Sequence, residues 1–490
     1  MGIDEARVQE ARALGADLAE VRARIRAGAE GRMARWQGWI TRPDFAASAR
    51  NLADYLALRH ADLRPVQPRL AALGLSSLGR CEAHVGATLD ATLAALDRIA
   101  GADGPADFPD PAAFQQGRAR IEAARDRMFG ARADGPETRV MVTLPSEAAT
   151  DPDLVSALVA SGADCLRINC AHDDPAAWAA MIGAARSAAA AAGREVPVAM
   201  DLGGPKIRIV SVKGAAQTRL MPGDRFALLA GAGHAGKRPA AVLSHPEVVA
   251  ALVPGQAVWI NDGKLRAEVI ETAPGRATLR VTGARAKGER LKPEKGVNLP
   301  GSDLTIPALT DEDRAHLPFV LDHAQMVGFS FVQTVEDVRA LQAAIEAHGA
   351  PMPAIVLKIE TPKAVRNLPD LIVAAAGRGP AAVMIARGDL AVEIGFERLS
   401  EIQEEILWLC EAAQVAVIWA TQVLEGMIKD GQASRAETTD AAMGQRAECV
   451  MLNKGPHLAE AVVFLRSILG RMDRHTGKKT PYLGPLGVWP

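Results

Sequence analysis

The chain has 490 residues, 49% apolar and 23% charged, the balance of a water-soluble globular protein with a sizeable core. Its formal net charge of −2 hides no strongly basic half, which argues against a nucleic-acid partner, and no run of about 18 apolar residues offers a membrane span. Five scattered cysteines without CxxC spacing (Cys81, Cys165, Cys170, Cys410, Cys449) and an acidic N-terminus (Asp4, Glu5, Glu10) point to free thiols, no secretory signal and a reducing, cytoplasmic compartment.

Residues 1–130 read as an all-α region. Leu52, Tyr55, Leu56, Leu63, Leu70 and Leu73 recur at helical intervals, as do Val85, Leu89, Leu93 and Leu96. Gly74 followed by Ser76 and Ser77 marks a stop and a new cap, and the Gly/Pro/Asp-rich stretch 101–111 breaks the pattern. A helical bundle or collar is expected, its Arg-rich helices solvated because acidic residues interleave them. Residues 130–137 read as a linker.

Eight strand-like runs follow: 138–143, 164–168, 196–201, 325–330, 354–359, 381–386, 415–419 and 448–452. Helical stretches separate most of them, for example 397–413 with Leu399, Ile402, Ile406 and Leu409. Eight is the closing number of a (β/α)8 TIM barrel, whose active site lies at the C-terminal mouth of its strands. The connection from Lys206 to Asp322 is too long for one helix, and its alternating valines and Gly/Pro/Asp turns predict an inserted β domain. The expected fold is therefore α/β. The barrel forms from 138–208 and 293–470, a β-barrel-like lid at 209–292 follows strand three, and 471–490 is an extended tail.

The strand ends carry the chemistry. Strand two gives Arg167, Asn169 and His172; strand three gives Asp201, Lys206 and Arg208; strand five gives Lys358 and Glu360; strand six gives Arg387, Gly388 and Asp389; strand seven gives Thr421 and Gln422. Glu360 and Asp389 suit a hard divalent cation, Mg²⁺ or Mn²⁺, that shares substrate oxygens. Arg167, Lys206, Arg208 and Lys358 supply the positive charge that a phosphate ester requires. Singly, each has a bland reading. Asp201 suits a cap for the Gly203-Gly204-Pro205 turn, His172 a cap for the next helix, and Thr143 and Ser330 suit backbone hydrogen bonds. Jointly, charged groups on five of eight strand ends point to a site.

The strings Arg167–His172, Asp201–Arg208, Lys295–Gly301, Ser330–Val332, Leu357–Glu360, Ala386–Ile394, Ala420–Met427 and Ser434–Glu437 resemble the pyruvate kinase family, in order, over about 138–470. The resemblance implies phosphoryl transfer from phosphoenolpyruvate to ADP, giving pyruvate and ATP. It implies that Glu360 and Asp389 hold the divalent cation and that Lys358 stabilises the phosphoryl group in flight. Arg167 would contact phosphate, and Asn169, His172 and Arg208 would lie near the nucleotide phosphates. The backbone around Gly388, with Thr421, would hold the substrate carboxylate, and Thr421 would sit in the relay that protonates the enolate carbon. Family members that need K⁺ carry Glu where this chain has Lys206 and Ser where it has Ala171, so K⁺-independence is expected. A homo-oligomer is also expected.

Three departures stand out. The family's Thr-Ile-Gly-Pro-Ala-Ser turn after strand one is here the shorter Thr143–Ser146. The family's Met-Leu-Ser-Gly-Glu after strand eight is Met451-Leu452-Asn453-Lys454-Gly455, which replaces a relay hydroxyl by an amide. The family's C-terminal regulatory domain is expected to be absent, with the N-terminal helices in its stead. These departures leave two alternatives: a catalytically weak phosphoenolpyruvate-binding sensor or scaffold, and a Mg²⁺-dependent lyase or aldolase acting on pyruvate enolate.

Overall fold

The computed structural model describes residues 3–132, 134–231, 238–302, 306–478 and 480–482. Its centre is a closed barrel of parallel strands: β1 (Arg139–Thr143), β2 (Cys165–Asn169), β3 (Val198–Asp201), β11 (Met326–Phe329), β12 (Ala354–Ile359), β13 (Ala381–Ala386), β14 (Ala416–Ala420) and β15 (Cys449–Leu452). Among the described residues, seven further strands lie between β3 and β11 in the chain. Nearly every barrel-strand residue is buried, as expected where a parallel sheet is covered on both faces. Strand alternation divides them between two cores. Met141, Cys165, Met326, Val356, Met384, Ile418 and Met451 fill the barrel. Val140, Leu166, Val327, Leu357, Val383, Val417 and Val450 pack outward against the helices.

Among the described residues five α-helices precede the barrel: α1 (Ile3–Trp36), α2 (Pro43–Leu58), α3 (Gln67–Ala72), α4 (Val85–Ile99) and α5 (Gln116–Phe129). Leu14, Leu18, Leu52, Leu89 and Leu96 join α1, α2 and α4 into a core continuous with the barrel's outer layer. Polar bonds fix the docking. Asn51 Nδ2 donates to the Ala412 carbonyl at 2.8 Å, Ser48 Oγ to Gln414 Oε1 at 2.6 Å, and Trp36 Nε1 to Asp370 Oδ1 at 2.8 Å. Several arginines of this region pair with acids, Arg69 with Glu10 and Asp17, and Arg50 with Glu30 and Asp54.

Helix α5 ends at the barrel floor. Phe129 is fully buried among Cys165, Met326, Ala354, Ala416 and Cys449, the first residues of five barrel strands, so its ring plugs the N-terminal end. Gly130, at φ +91°, then turns the chain, and the buried Arg139 guanidinium binds the carbonyls of Gly130, Pro136 and Glu137. The 130–137 segment is thus pinned to the barrel by hydrogen bonds. Phe129→Ala is expected to lower unfolding stability by about 3–5 kcal/mol, the usual cost of emptying a buried aromatic site, read from urea melts.

Between β3 and β11 lie β4 (Ile209–Lys213), β5 (Arg225–Leu229), β6 (Ala240–Leu243), β7 (Ala257–Ile260), β8 (Leu265–Ala273), β9 (Arg276–Ala284) and β10 (Val297–Asn298), forming one sheet in the order β10-β7-β8-β9-β5-β6-β4. This sheet has its own core, with Phe226, Leu228, Val258, Ile260, Leu279 and Val281. Its two connections to the barrel run side by side. Arg208 bridges Gly296, and Val297 N–H donates to the Ile207 carbonyl at 2.9 Å. Asn298 Nδ2 donates to Glu393 Oε1 at 3.0 Å and ties the inserted domain to the barrel mouth. The helix Leu458–Met472 follows the last barrel strand, and within 471–490, expected to be an extended tail, a short hairpin forms from β16 (Thr476–Gly477) and β17 (Thr480–Pro481). Residues 483–490 of that tail lie outside the described residues. Among the described residues no helix is long and apolar enough to cross a membrane.

Candidate active site

Val356 points into the barrel, so Lys358 and Glu360, two and four residues on, extend the same inward face to the mouth. Asp201 ends β3 and is 1% exposed. Its Oδ2 accepts from Arg167 Nε at 2.9 Å and Nη2 at 2.8 Å, and lies 3.1 Å from Lys358 Nζ. Lys358 Nζ also donates to Ser330 Oγ at 2.7 Å and lies 3.6 Å from Glu360 Oε1. Ser330 Oγ in turn donates to the Leu202 carbonyl at 2.7 Å. Arg167 Nη1 donates to Thr143 Oγ1 at 3.0 Å. Two cations and two carboxylates are thereby locked into one buried network.

The electrostatics follow from that arrangement. Burial alone would raise the Asp201 pKa, but Arg167 and Lys358 outweigh it and hold the carboxyl at about 2. Burial works against the Lys358 ammonium too, yet Glu360 and Asp201 prevail and its pKa stands above that of free lysine. Lys358 is therefore charged throughout the neutral range. Glu360 goes the other way: burial raises its pKa, Lys358 opposes, and the Asp389 charge raises it further. Its Oε2 accepts from Phe331 N–H at 2.6 Å.

Asp389 lies in the first turn of the helix Arg387–Ile394, just past the end of β13. Lys206 Nζ meets both of its oxygens at 2.9 Å. Glu360 and Asp389 are near enough to repel, and no cluster of three His, Cys, Asp or Glu forms among the described residues. Glu360 and Asp389, the latter lining a cavity, are hard oxygen donors of the kind a Mg²⁺- or Mn²⁺-sized ion takes while it completes its shell with water and substrate oxygens.

Gly388 faces Thr421, and a Cβ there would come within 2.8 Å of Thr421 Cγ2. Thr421, Gln422 and Leu424 all have positive φ, a strained run after β14 that local contacts must hold. Arg387 holds it. Its guanidinium donates to the Ala420 carbonyl at 2.8 Å and the Thr421 carbonyl at 2.7 Å, pairs with Asp440, and stacks over Trp419. The Arg387 side chain thus turns to the loop, while the backbone of Gly388 stays at the mouth.

Asn169 and His172 line a neighbouring cavity of about 300 Å³ with Arg167, Gln422, Lys429, Asn453 and Lys454. Asp174, which accepts from Ala177 N–H at 2.9 Å, caps the next helix in place of His172. Arg208 is absent from that lining; its guanidinium donates to the Glu294 carbonyl at the hinge of the inserted domain. The Gly203-Gly204 turn is held by Asp313, whose Oδ1 accepts from Gly203 N–H at 2.8 Å, and Asp201 takes no part in capping it. The reading of the strand ends left Asp201 open between a turn cap and a member of the site, and took Thr143 and Ser330 for backbone binders; all three join the network. Ser330 does bind the Leu202 carbonyl, but it also receives Lys358. The available signal was a lone acid ending an apolar strand opposite two cationic strand ends.

The pyruvate kinase barrel-domain profile matches residues 136–459. Among curated proteins, the chain is 34% identical over 344 residues to a pyruvate kinase of Methylorubrum extorquens, covering 69% of each. It is 31% identical over 342 residues to that of Agrobacterium vitis (68% of each). It is 32% identical over 320 residues to pyruvate kinase 1 of Trypanosoma brucei brucei, covering 64% of this chain and 62% of that one. An eight-stranded barrel with a domain inserted after its third strand, matched along more than half the chain, makes this protein a member of the pyruvate kinase family and a phosphotransferase.

Proposed function

We propose that the chain transfers the phosphoryl group of phosphoenolpyruvate to ADP, giving pyruvate and ATP, and that it does so without K⁺. The observation that carries this reading is the Lys358 ammonium, buried at the barrel mouth 3.1 Å from Asp201 and 3.6 Å from Glu360. A fixed cation in a low-dielectric site stabilises a phosphoryl group in flight without reorganising. Arg167, oriented by Asp201 and Thr143, binds the phosphate of the donor. Glu360 and Asp389 would hold Mg²⁺ or Mn²⁺, which when bound neutralises phosphoryl and carboxylate oxygens of the substrate. The Gly388 backbone and Thr421 would receive the carboxylate, and the Thr421 hydroxyl would serve the relay that protonates the enolate carbon. Asn169 and His172 face the acceptor phosphates, and Arg208 approaches from the hinge.

Lys206 supports K⁺-independence. Its ammonium already neutralises Asp389, and Ala171 offers no hydroxyl to a monovalent cation. With tetraalkylammonium as the only monovalent cation, the protein should run at full rate, and added K⁺ should change the rate less than about twofold, since a second cation is redundant or repelled there. Strong K⁺ activation would overturn this part of the reading. Asn453 favours a second reading, in which phosphoenolpyruvate binds but turnover is slow, because an amide does not relay a proton as a hydroxyl does. Saturable binding of phosphoenolpyruvate without ATP formation would select it.

A further inference from the structure

We infer that Lys454 is an acceptor-side anion-binding residue, a phosphate contact that makes this site select its acceptor by negative charge. The inference rests on the phosphoryl-transfer reading for the identity of the acceptor, though not for the anion site itself.

The residue is held in place by its neighbours. It follows β15 on a loop that packs against the helix Glu425–Asp430. A Cβ on Gly455 would lie 2.5 Å from Ile428 Cγ2 and 2.9 Å from the Ile428 carbonyl, so the loop sits flush on that helix. His457 N–H donates to the same carbonyl at 3.0 Å. Lys454 is thereby presented to the cavity of about 300 Å³ that also contains Arg167, Asn169, His172, Gln422, Lys429 and Asn453.

The other cations of that cavity are committed. Arg167 is bound to Asp201 and Thr143, and Lys429 pairs with Glu425. Lys454 makes no hydrogen bond or ion pair among the described residues, and it is solvent-exposed. Its charge nevertheless reaches across the space. The His172 pKa is depressed first by partial burial, next by Lys454, then by Arg208, with Asp173 opposing and Arg167 adding slightly. His172 therefore faces the cavity as a neutral imidazole, a hydrogen-bonding group beside a free ammonium, with the amides of Asn169, Gln422 and Asn453 around them. A free cation, a neutral ring and three amides recognise phosphate oxygens, with Lys454 supplying the charge. A lysine that merely lined the rim would leave ligand affinity unchanged on removal.

Inorganic pyrophosphate is the probe, measured by calorimetry on the full chain with wild type, Lys454→Ala and Lys454→Arg. Lys454→Ala should weaken pyrophosphate binding about tenfold, the worth of one charge-assisted contact, and Lys454→Arg should restore most of it. In steady-state assays the same Ala variant should raise KM for ADP by a similar factor and leave KM for phosphoenolpyruvate within about twofold. In the free protein, NMR titration should find the His172 pKa higher in Lys454→Ala than in wild type, because a like charge has gone. Pyrophosphate affinity within twofold of wild type in Lys454→Ala, or an unmoved His172 pKa, would overturn the inference. Wild-type protein that binds pyrophosphate through Lys454 yet transfers nothing from phosphoenolpyruvate would sink the transfer reading and leave this one standing.

Discussion

Lys358→Met is expected to cut phosphoryl transfer by about a thousandfold, near 4 kcal/mol of transition-state stabilisation, with the loss in kcat rather than KM. Methionine keeps the volume and the apolar stem, so packing against the barrel core survives. The ammonium does not. Asp201 keeps both Arg167 bonds and Glu360 keeps the Phe331 N–H, so the two carboxylates stay oriented without the cation between them. Ground-state binding should persist through Arg167 and the divalent-cation site, which is why KM should hold. Activity within tenfold of wild type, in a variant that melts normally, would remove Lys358 from the chemistry.

The second large effect lies behind the site. Gly328 on β11 faces Asp201, and a Cβ there would overlap Oδ1 and sit 2.5 Å from Cγ and 3.1 Å from Cα. Asp201 cannot yield cheaply, because Arg167 grips it with two bonds and Lys358 with a third. Gly328→Ala should therefore cost at least about 3 kcal/mol, the scale of breaking a buried charge pair, where simple overpacking costs about 1–3. Transfer activity should fall with it, since Arg167 and Lys358 lose their common partner. Gly183→Ala, in the helix Pro175–Ala192 with nothing within 4 Å of its Cβ, serves as the control and should be neutral or slightly stabilising. Urea midpoints of the two variants decide the matter. Equal midpoints would show that Asp201 can relax.

The barrel was legible because its strands are short apolar runs, such as Ala381–Ala386, buried on both faces and closed by charged residues. The inserted sheet was legible from its alternation, visible in the exposed and buried residues of β8 and β9. Long-range pairing was not legible. Lys206 and Asp389 stand 183 residues apart, and no spacing rule joins them. Asp201 suits a turn cap in one dimension, and only the closed barrel, with β2 beside β3 and β12 one strand further on past β11, makes it the centre of a charge network. Arg387 belongs to the same lesson. Its neighbours Gly388 and Asp389 are at the mouth, but its own length carries the guanidinium to Asp440, where it holds the strained Thr421 run. Phe129 was hidden by position, since a residue beside a Gly/Pro-rich stretch looks like the end of a helix rather than the floor of a barrel.

If the buried Lys358 network serves phosphoryl transfer from phosphoenolpyruvate to ADP, ³¹P NMR of the purified chain with both substrates and Mg²⁺ in K⁺-free buffer will show it. The phosphoenolpyruvate resonance should be replaced by ATP in equal amount, with pyruvate formed one for one, and Lys358→Met should stop the exchange. Loss of phosphoenolpyruvate to inorganic phosphate without ATP, or an unchanging spectrum under saturating substrates, would contradict it.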